Sequence, residues 1–411
     1  MSSRAKAKDL KIVLDSSQAQ YDKNPKLMNI PSILSNYASF KAHQLKNRFL
    51  KHNDVVSLLE KLPPTFEVTS LGSSFEGRSI NAVKWGKGKT KILLWSQMHG
   101  DEATGTMAVF DLFNFLQQDS ELIEMLFESC ELHFIPLLNP DGAERFIRRS
   151  AQQIDINRDF LQCLTPEAKI LKDYRHKINP EFGFTLHDQI TLWSVTGTLK
   201  PATLSFLSPA IDAELSIIPT REKAMLVIAK MFEALLPTIP GHMGLFDDEY
   251  EPRAFGDNFQ KLGTSTILIE AGGLKNDPEK QEIRTYYFAA MLSGLHSIAK
   301  KSYIDKNTDQ YFLIPKNNKQ IFHILLHGVV LNGIQTSVGI NYDECPTPDG
   351  LQTIKTYSIQ DIGDLSFCDA YQTFTSANFK LNGEIIFNQN AHFELFDENE
   401  MILCFQNGIL L

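Results

Sequence analysis

Across the first 60 or so residues the chain is mostly polar, and over 35–60 its apolar positions recur at helical rather than strand spacing, which predicts a helical lead-in. Pro63-Pro64 ends it. Beyond these prolines, short apolar runs alternate with longer stretches of helical spacing. The runs predict strands at 66–71, 81–85, 92–97, 132–137, 182–186 and 266–269; the stretches predict helices at 104–116, 166–177, 220–236 and 278–300. Such alternation is the pattern of an α/β sheet with helices on its faces. After about residue 305 the character changes. Apolar runs at 321–326, 385–387 and 401–405, with Asn332-Gly333, Asn382-Gly383 and Asn407-Gly408 between or beside them, predict hairpins and a small β-rich domain. The expected division is 1–304, including the lead-in, and 305–411.

In open α/β sheets ligands bind beyond the carboxyl ends of strands, so reactive residues just past an apolar run count for more than others. Four places qualify: His99 and Glu102, the segment Asn139-Pro140-Asp141-Gly142, His187, and Glu270. A His and a Glu three apart at a strand-to-helix turn can present an imidazole nitrogen and a carboxylate to one metal ion. A hydrolytic zinc usually takes three protein ligands and a water. His99, Glu102 and His187 make a His-His-Glu set. Of the eleven histidines, His43, His52, His176, His242, His296, His323, His327 and His392 fall in helices, loops or the terminal domain, and His133 begins or interrupts a strand; these read as ordinary surface or core residues. Glu270 ends Thr-Ile-Leu-Ile and precedes Ala-Gly-Gly, a buried strand end where desolvation raises a carboxyl pKa toward the range of a general base. Arg145, Arg148, Arg149 and Arg158 gather in one segment with Asp155 and Asn157. Beside a metal site such a cluster can bind a carboxylate and an oxyanion.

Composition narrows the partners. The chain has 411 residues, 43% hydrophobic and 22% charged, with net charge −9 and no basic run, so neither nucleic acid nor an anionic membrane is an expected partner. Five scattered cysteines without a CxxC pair read as reduced thiols and a cytoplasmic home. No secretory apolar core follows the basic start, and no segment approaches the ~18 apolar residues of a membrane span.

His99-Gly-Asp-Glu102, Asn139-Pro-Asp-Gly142, Arg148 nine positions before Asn157-Arg158, His187 in Thr-Leu-His-Asp-Gln, Glu270 in Leu-Ile-Glu-Ala-Gly-Gly and Ser74-Phe-Glu-Gly-Arg78-Ser-Ile80 occur in a telling order. Over about residues 35–300 they resemble the zinc metallocarboxypeptidases related to carboxypeptidase A. The resemblance implies an α/β fold with a mixed, mostly parallel central sheet flanked by helices, followed here by the small β-rich domain. It also implies one zinc ion on His99, Glu102 and His187. Glu270 would deprotonate the attacking water and pass the proton to the leaving amine, and Arg148 would stabilise the oxyanion, with Arg149 its competitor. Asn157 and Arg158 would grip the terminal carboxylate of a peptide or small amide substrate, and Asp155 would orient His99.

Some features depart from that pattern. Family members of the digestive type carry a tyrosine on a mobile loop before the base; Tyr250, twenty positions before Glu270, is the candidate here. Asp101 replaces an arginine often found between the ligands, and Arg253, if it points into the pocket, would favour an acidic side chain. Two alternatives stay open: a zinc deacylase of the aspartoacylase and succinylglutamate desuccinylase type, and a non-catalytic peptide-binding module. Asn139-Pro-Asp-Gly and the Arg148 to Asn157-Arg158 spacing favour the peptidase over the first. Retention of His99, Glu102, His187 and Glu270 argues against the second. The β-rich domain could restrict access to the site, mediate self-association or protect a sheet edge.

Overall fold

The computed structural model describes residues 28–411. Strands β1 (Glu67–Ser73), β2 (Ser79–Trp85), β3 (Thr90–Ser96), β4 (Cys130–Ile135), β5 (Phe182–Asp188), β7 (Leu204–Leu207), β8 (Met243–Leu245) and β9 (Ser265–Ala271) form one eight-stranded sheet, while the short β6 (Ser194–Val195) lies outside it. The order is β1-β2-β4-β3-β5-β9-β7-β8. Its centre, β4-β3-β5-β9, is parallel, and β2 and β7 join antiparallel on either side. Parallel strands are covered on both faces, which is why β3, β5 and β9 read as unbroken apolar runs. The edge strand β1 is mostly exposed and carries a bulge at Ser70/Gly72.

Helices Thr104–Phe115, Pro166–Ile178, Pro219–Leu235 and Ile283–Lys300 cover the sheet. The second shows why the sequence breaks where it does: Thr165 caps the Ala168 amide, Pro166 sits in the first turn, and Asn179 closes the helix in the left-handed region. Ile283–Lys300 starts later than the predicted 278. Lys280 has φ 52, and the Asp277 carboxylate accepts the amides of Gln281, Glu282 and Ile283. Three short helices, Glu121–Ser129, Pro140–Arg145 and Phe255–Lys261, and the strands β7 and β8 have no counterpart in the sequence reading. The strands and the two shorter helices are too short to show a period, whereas Glu121–Ser129 has one, with Ile123 and Leu126 on its buried face.

The helical lead-in needs correction. Residues 1–27 lie outside the described residues, and the stretch 35–60 is helical only at Tyr37–Ser39 and His52–Leu59. Outside those two pieces its apolar residues Phe40, Ala42, Leu45 and Leu50 are buried, but from an irregular backbone. Tertiary groups replace the helix ladder. Arg284, fully buried, donates to the carbonyls of Leu45 (2.6 Å) and Ala42 (3.0 Å) and pairs with Asp111, which also accepts from Ala42 N and the Tyr37 hydroxyl.

The C-terminal part is a sandwich of two four-stranded sheets. One contains Thr353–Gly363, Ile334–Pro346, Ile321–Leu331 and Asp369–Thr375; the other contains Phe379–Glu384, His392–Asp397, Glu400–Gln406 and Ile409–Leu410. Ile324, Val338, Ile340 and Ile359 pack with Phe393, Leu395 and Phe405 between them. Asn332-Gly333 and Asn407-Gly408 form the expected tight turns, each residue at positive φ. Asn382-Gly383 instead lies inside a strand, opposite Glu394 and Phe393, and 385–387 follows that strand rather than forming one. Tyr303, Tyr311 and Ile314 belong to the core of the large sheet. Among the described residues no helix is long and apolar enough to cross a membrane.

Candidate metal centre and the cleft above it

β3 ends in a sharp turn. Gln97 adopts φ 49, and its side chain donates to the Gly100 carbonyl and accepts from the Thr106 hydroxyl, both at 2.9 Å. Gly100 packs directly on the next loop: a Cβ there would lie 2.1 Å from the carbonyl carbon of Gly142. Asn139 caps the helix that starts at Pro140 by accepting from Gly142 N at 2.9 Å. The buried Asp141 accepts from Ser74 Oγ (2.7 Å), Glu76 N (2.9 Å) and Arg78 (2.7 Å). The Ser74–Ile80 and Asn139–Gly142 motifs are thus one unit, and it braces the His99 turn.

His99, Glu102 and His187 are buried, with one donor atom from each within 4.8 Å of the others. His99 Nδ1 lies 2.7 Å from one Glu102 oxygen, and His187 Nδ1 lies 2.8 Å from the other. On its far side His99 Nε2 is 3.1 Å from Asp155 Oδ1. Both ring nitrogens thus face carboxylates; with a metal on Nδ1, Nε2 carries the ring's proton and Asp155 accepts it. Two imidazole nitrogens and a carboxylate are a zinc donor set, so the residues fit that ion. Burial alone would raise Glu102, but the two imidazoles outweigh it and hold the carboxyl well below its ordinary range. Asp155 is likewise held low against burial, by His99 and Arg148.

The β5/β9 register sets Glu270 beside His187 at the same rim. Glu270 is buried, and its Oε2 has no hydrogen-bond partner among the described residues. Burial, then repulsion from Glu102 and Asp188, raises its pKa well above the ordinary value. Arg148 reaches Glu102 (3.1 Å) and Asp155 (3.0 Å), whereas Arg149 bonds the Gln153 carbonyl and stays outside the cluster. Burial and Glu102 push Asp101 up to about 6.

Two further polar residues belong here. Asp188 accepts from Thr104 Oγ1 (2.6 Å) and Lys280 Nζ (3.1 Å), and Lys280 also bonds the Ala271 carbonyl (3.1 Å). Asp188 had a signal, its adjacency to His187. Lys280 had none, because its surroundings read as helix.

Asn157 and Arg158 lie in a different loop cluster. Asn157 Oδ1 accepts from Phe255 N (3.0 Å), and its own amide bonds Asp155 (2.9 Å), tying this cluster to His99. Arg158 Nε pairs with Glu251 at 3.0 Å, and Arg253 holds the same carboxylate at 2.8 Å from the exposed side. Arg253 therefore does not point inward as a free specificity group, and Glu251 was not foreseen. Tyr250 is half-buried on this loop. A cleft of about 800 Å³ runs between the large sheet and the sandwich, with Asp101, Glu102, Arg148 and Asp188 in its lining.

A buried His-His-carboxylate triad at the carboxyl ends of parallel strands, with a second carboxylate in register and an arginine beside it, makes this an α/β protein with a candidate metal site. Residues 53–181 match the family model described as zinc carboxypeptidase, a stretch that includes His99, Glu102, Arg148, Asp155, Asn157 and Arg158; His187 and Glu270 lie beyond it. Carboxypeptidase SOL1 of Arabidopsis thaliana is 32% identical over 103 residues, 22% of this chain and 21% of that protein. Carboxypeptidase Z of Gallus gallus is 27% identical over 155 residues, 32% of this chain and 23% of that protein. The matches thus span about a fifth of these relatives' length. Bovine thrombin-activatable fibrinolysis inhibitor, solved in complex with tick carboxypeptidase inhibitor, shares the fold: TM-score 0.50, 15% identity, covering 64% of this chain and 100% of that one.

Proposed function

We propose that this protein is a zinc-dependent carboxypeptidase that hydrolyses the last peptide bond of a substrate with a free carboxylate. The observation that carries the proposal is the convergence of His99 Nδ1, His187 Nδ1 and Glu102, with the unpartnered Glu270 carboxylate in register beside them. His99, Glu102 and His187 would hold the zinc, which when bound polarises the scissile carbonyl and acidifies water. Glu270 takes the proton of the attacking water and hands it to the leaving amine, a task its burial suits by raising its basicity. Arg148 turns guanidinium N–H groups to the developing oxyanion. Asp155 keeps His99 in the required tautomer. Asn157 and Arg158 receive the terminal carboxylate, which takes the place of Glu251 on Arg158, and Tyr250 covers the bound residue. The five unpaired cysteines support a reducing, cytoplasmic setting.

The purified protein is expected to bind about one zinc per chain. It should cleave free peptides, but not amide-capped peptides or small N-acyl amino acids. Glu270→Gln should keep the metal and lose at least about 10²-fold in kcat. Full activity in that variant removes Glu270 from the mechanism, and cleavage of N-acyl amino acids alone replaces the peptidase by a deacylase.

A further inference from the structure

The cleft that opens on Glu102 and Arg148 has two walls of different origin. One comes from the large sheet, with Ile190, Leu192 and Leu274; the other from the sandwich, with His323, Tyr342, Lys355 and Tyr371. At about 800 Å³ it approaches the upper end of ligand pockets, roughly 300–1,000 Å³. Asn157 and Arg158 are not among its lining residues. The cleft and the Asn157–Arg158 loop both join the triad, the cleft through Glu102 and Arg148 in its lining, the loop through Asp155 on His99.

The sandwich wall is fixed against the site. The Tyr371 hydroxyl donates to the Thr191 carbonyl at 2.5 Å and rests on Gly273, three residues after Glu270; a Cβ on Gly273 would lie 1.7 Å from that hydroxyl. Arg48 pairs with Glu344 at 2.7 Å, and Lys51 Nζ donates to the carbonyls of Asp349 and Gly350 at 3.0 Å each, so the N-terminal segment clamps the sandwich as well. The Ala-Gly-Gly after Glu270 thus serves as a socket for the sandwich. The wall itself is aromatic: Tyr342 stacks on His323 at 3.5 Å and 19°, Tyr371 follows at 5.8 Å, and Lys355 lies 4.2 Å from the Tyr342 ring centre. The His323 ring accepts from Tyr342 N through Nδ1 (3.1 Å), an arrangement open only to the neutral imidazole. Arg48 with Glu344 and Lys280 with Asp188 are already paired.

Building on the carboxypeptidase reading, we infer that the sandwich is the second half of the substrate site: it binds the peptide segment preceding the scissile bond and favours apolar or aromatic side chains there. A substrate anchored by its last residue on Arg158 crosses the triad and continues between Ile190 and Tyr342. The test compares kcat/KM for a blocked dipeptide with that for a pentapeptide carrying aromatic residues ahead of the same final bond. The full-length wild-type protein should prefer the pentapeptide. Tyr342→Ala should cut that preference about tenfold, the scale of one aromatic contact, and Tyr342→Phe should restore it. Ile190→Asp, at a position 59% exposed and so tolerant of change, should cut it from the opposite wall. Equal cleavage of both substrates by the wild type, or a preference unchanged in both Tyr342→Ala and Ile190→Asp, overturns the inference while leaving the carboxypeptidase intact. No cleavage of any peptide by the zinc-loaded wild type overturns the function and this inference with it.

Discussion

His99 shows how much one residue's surroundings decide. Its two ring nitrogens face two carboxylates, Glu102 at 2.7 Å and Asp155 at 3.1 Å, and only one nitrogen carries a proton in the neutral ring. Once a metal takes Nδ1, the proton is at Nε2 and Asp155 accepts it. Asp155 is itself committed, accepting from Asn157 N and pairing with Arg148. Asp155→Ala should therefore leave the three ligands in place yet weaken zinc affinity by about 10- to 100-fold, the usual cost of losing such a partner. A competition titration with a chelator measures it; unchanged affinity would mean that the tautomer is set elsewhere. The same reasoning explains why Arg148, rather than Arg149, sits at the site. Both were visible in the sequence, but only Arg148 has two acidic residues within reach.

Among elements, the strands that carry the chemistry were legible because buried parallel strands are apolar throughout and end abruptly in polar residues. His99, His187 and Glu270 all follow such runs. The short elements β7, β8 and Phe255–Lys261 were not legible, and the lead-in was misread as helix because its apolar spacing serves side-chain insertion into a core whose backbone partners come from Arg284 and Asp111. At the β3 turn, Gly100 is required by contact rather than by dihedral. Gly100→Ala would drive a methyl into the Gly142 backbone, which cannot swing aside as a side chain does, and should cost about 1–3 kcal/mol. Thermal unfolding of the metal-free protein reads this cost, and zinc affinity should drop with it. A variant with unchanged Tm would show that the two loops can separate freely.

For the whole molecule, the sandwich and the large sheet meet at the rim that carries the His99–Glu102–His187 triad, and His323 sits at that meeting. Burial, with Lys355 nearby, lowers its pKa from 6.5 to about 3. A base whose folded pKa is depressed contributes full stability above its unfolded value, near 6.5. Between that pH and about 3 the unfolded chain takes up a proton that the folded chain refuses, so stability is lost as pH falls. The loss amounts to about 5 kcal/mol at most. Denaturant unfolding from pH 7 to 4 should show this slope, and His323→Asn, which cannot titrate, should flatten it; an equal slope in both proteins would assign the acid sensitivity to other groups.

The sequence alone determined which residues are candidates for the site. His99, Glu102, His187, Glu270 and Arg148 could be named because a metal and a general base demand particular side chains, and because strand ends are marked by a change from apolar to polar within one or two residues. Tertiary structure alone decided which groups those side chains face. The Asp188–Lys280 pair beside Glu270, the Glu251 carboxylate on Arg158 and the aromatic wall of His323, Tyr342 and Tyr371 all join residues far apart in the chain. No local period encodes such contacts. They exist because the folded core holds distant loops at one rim, where a buried charge must find a partner.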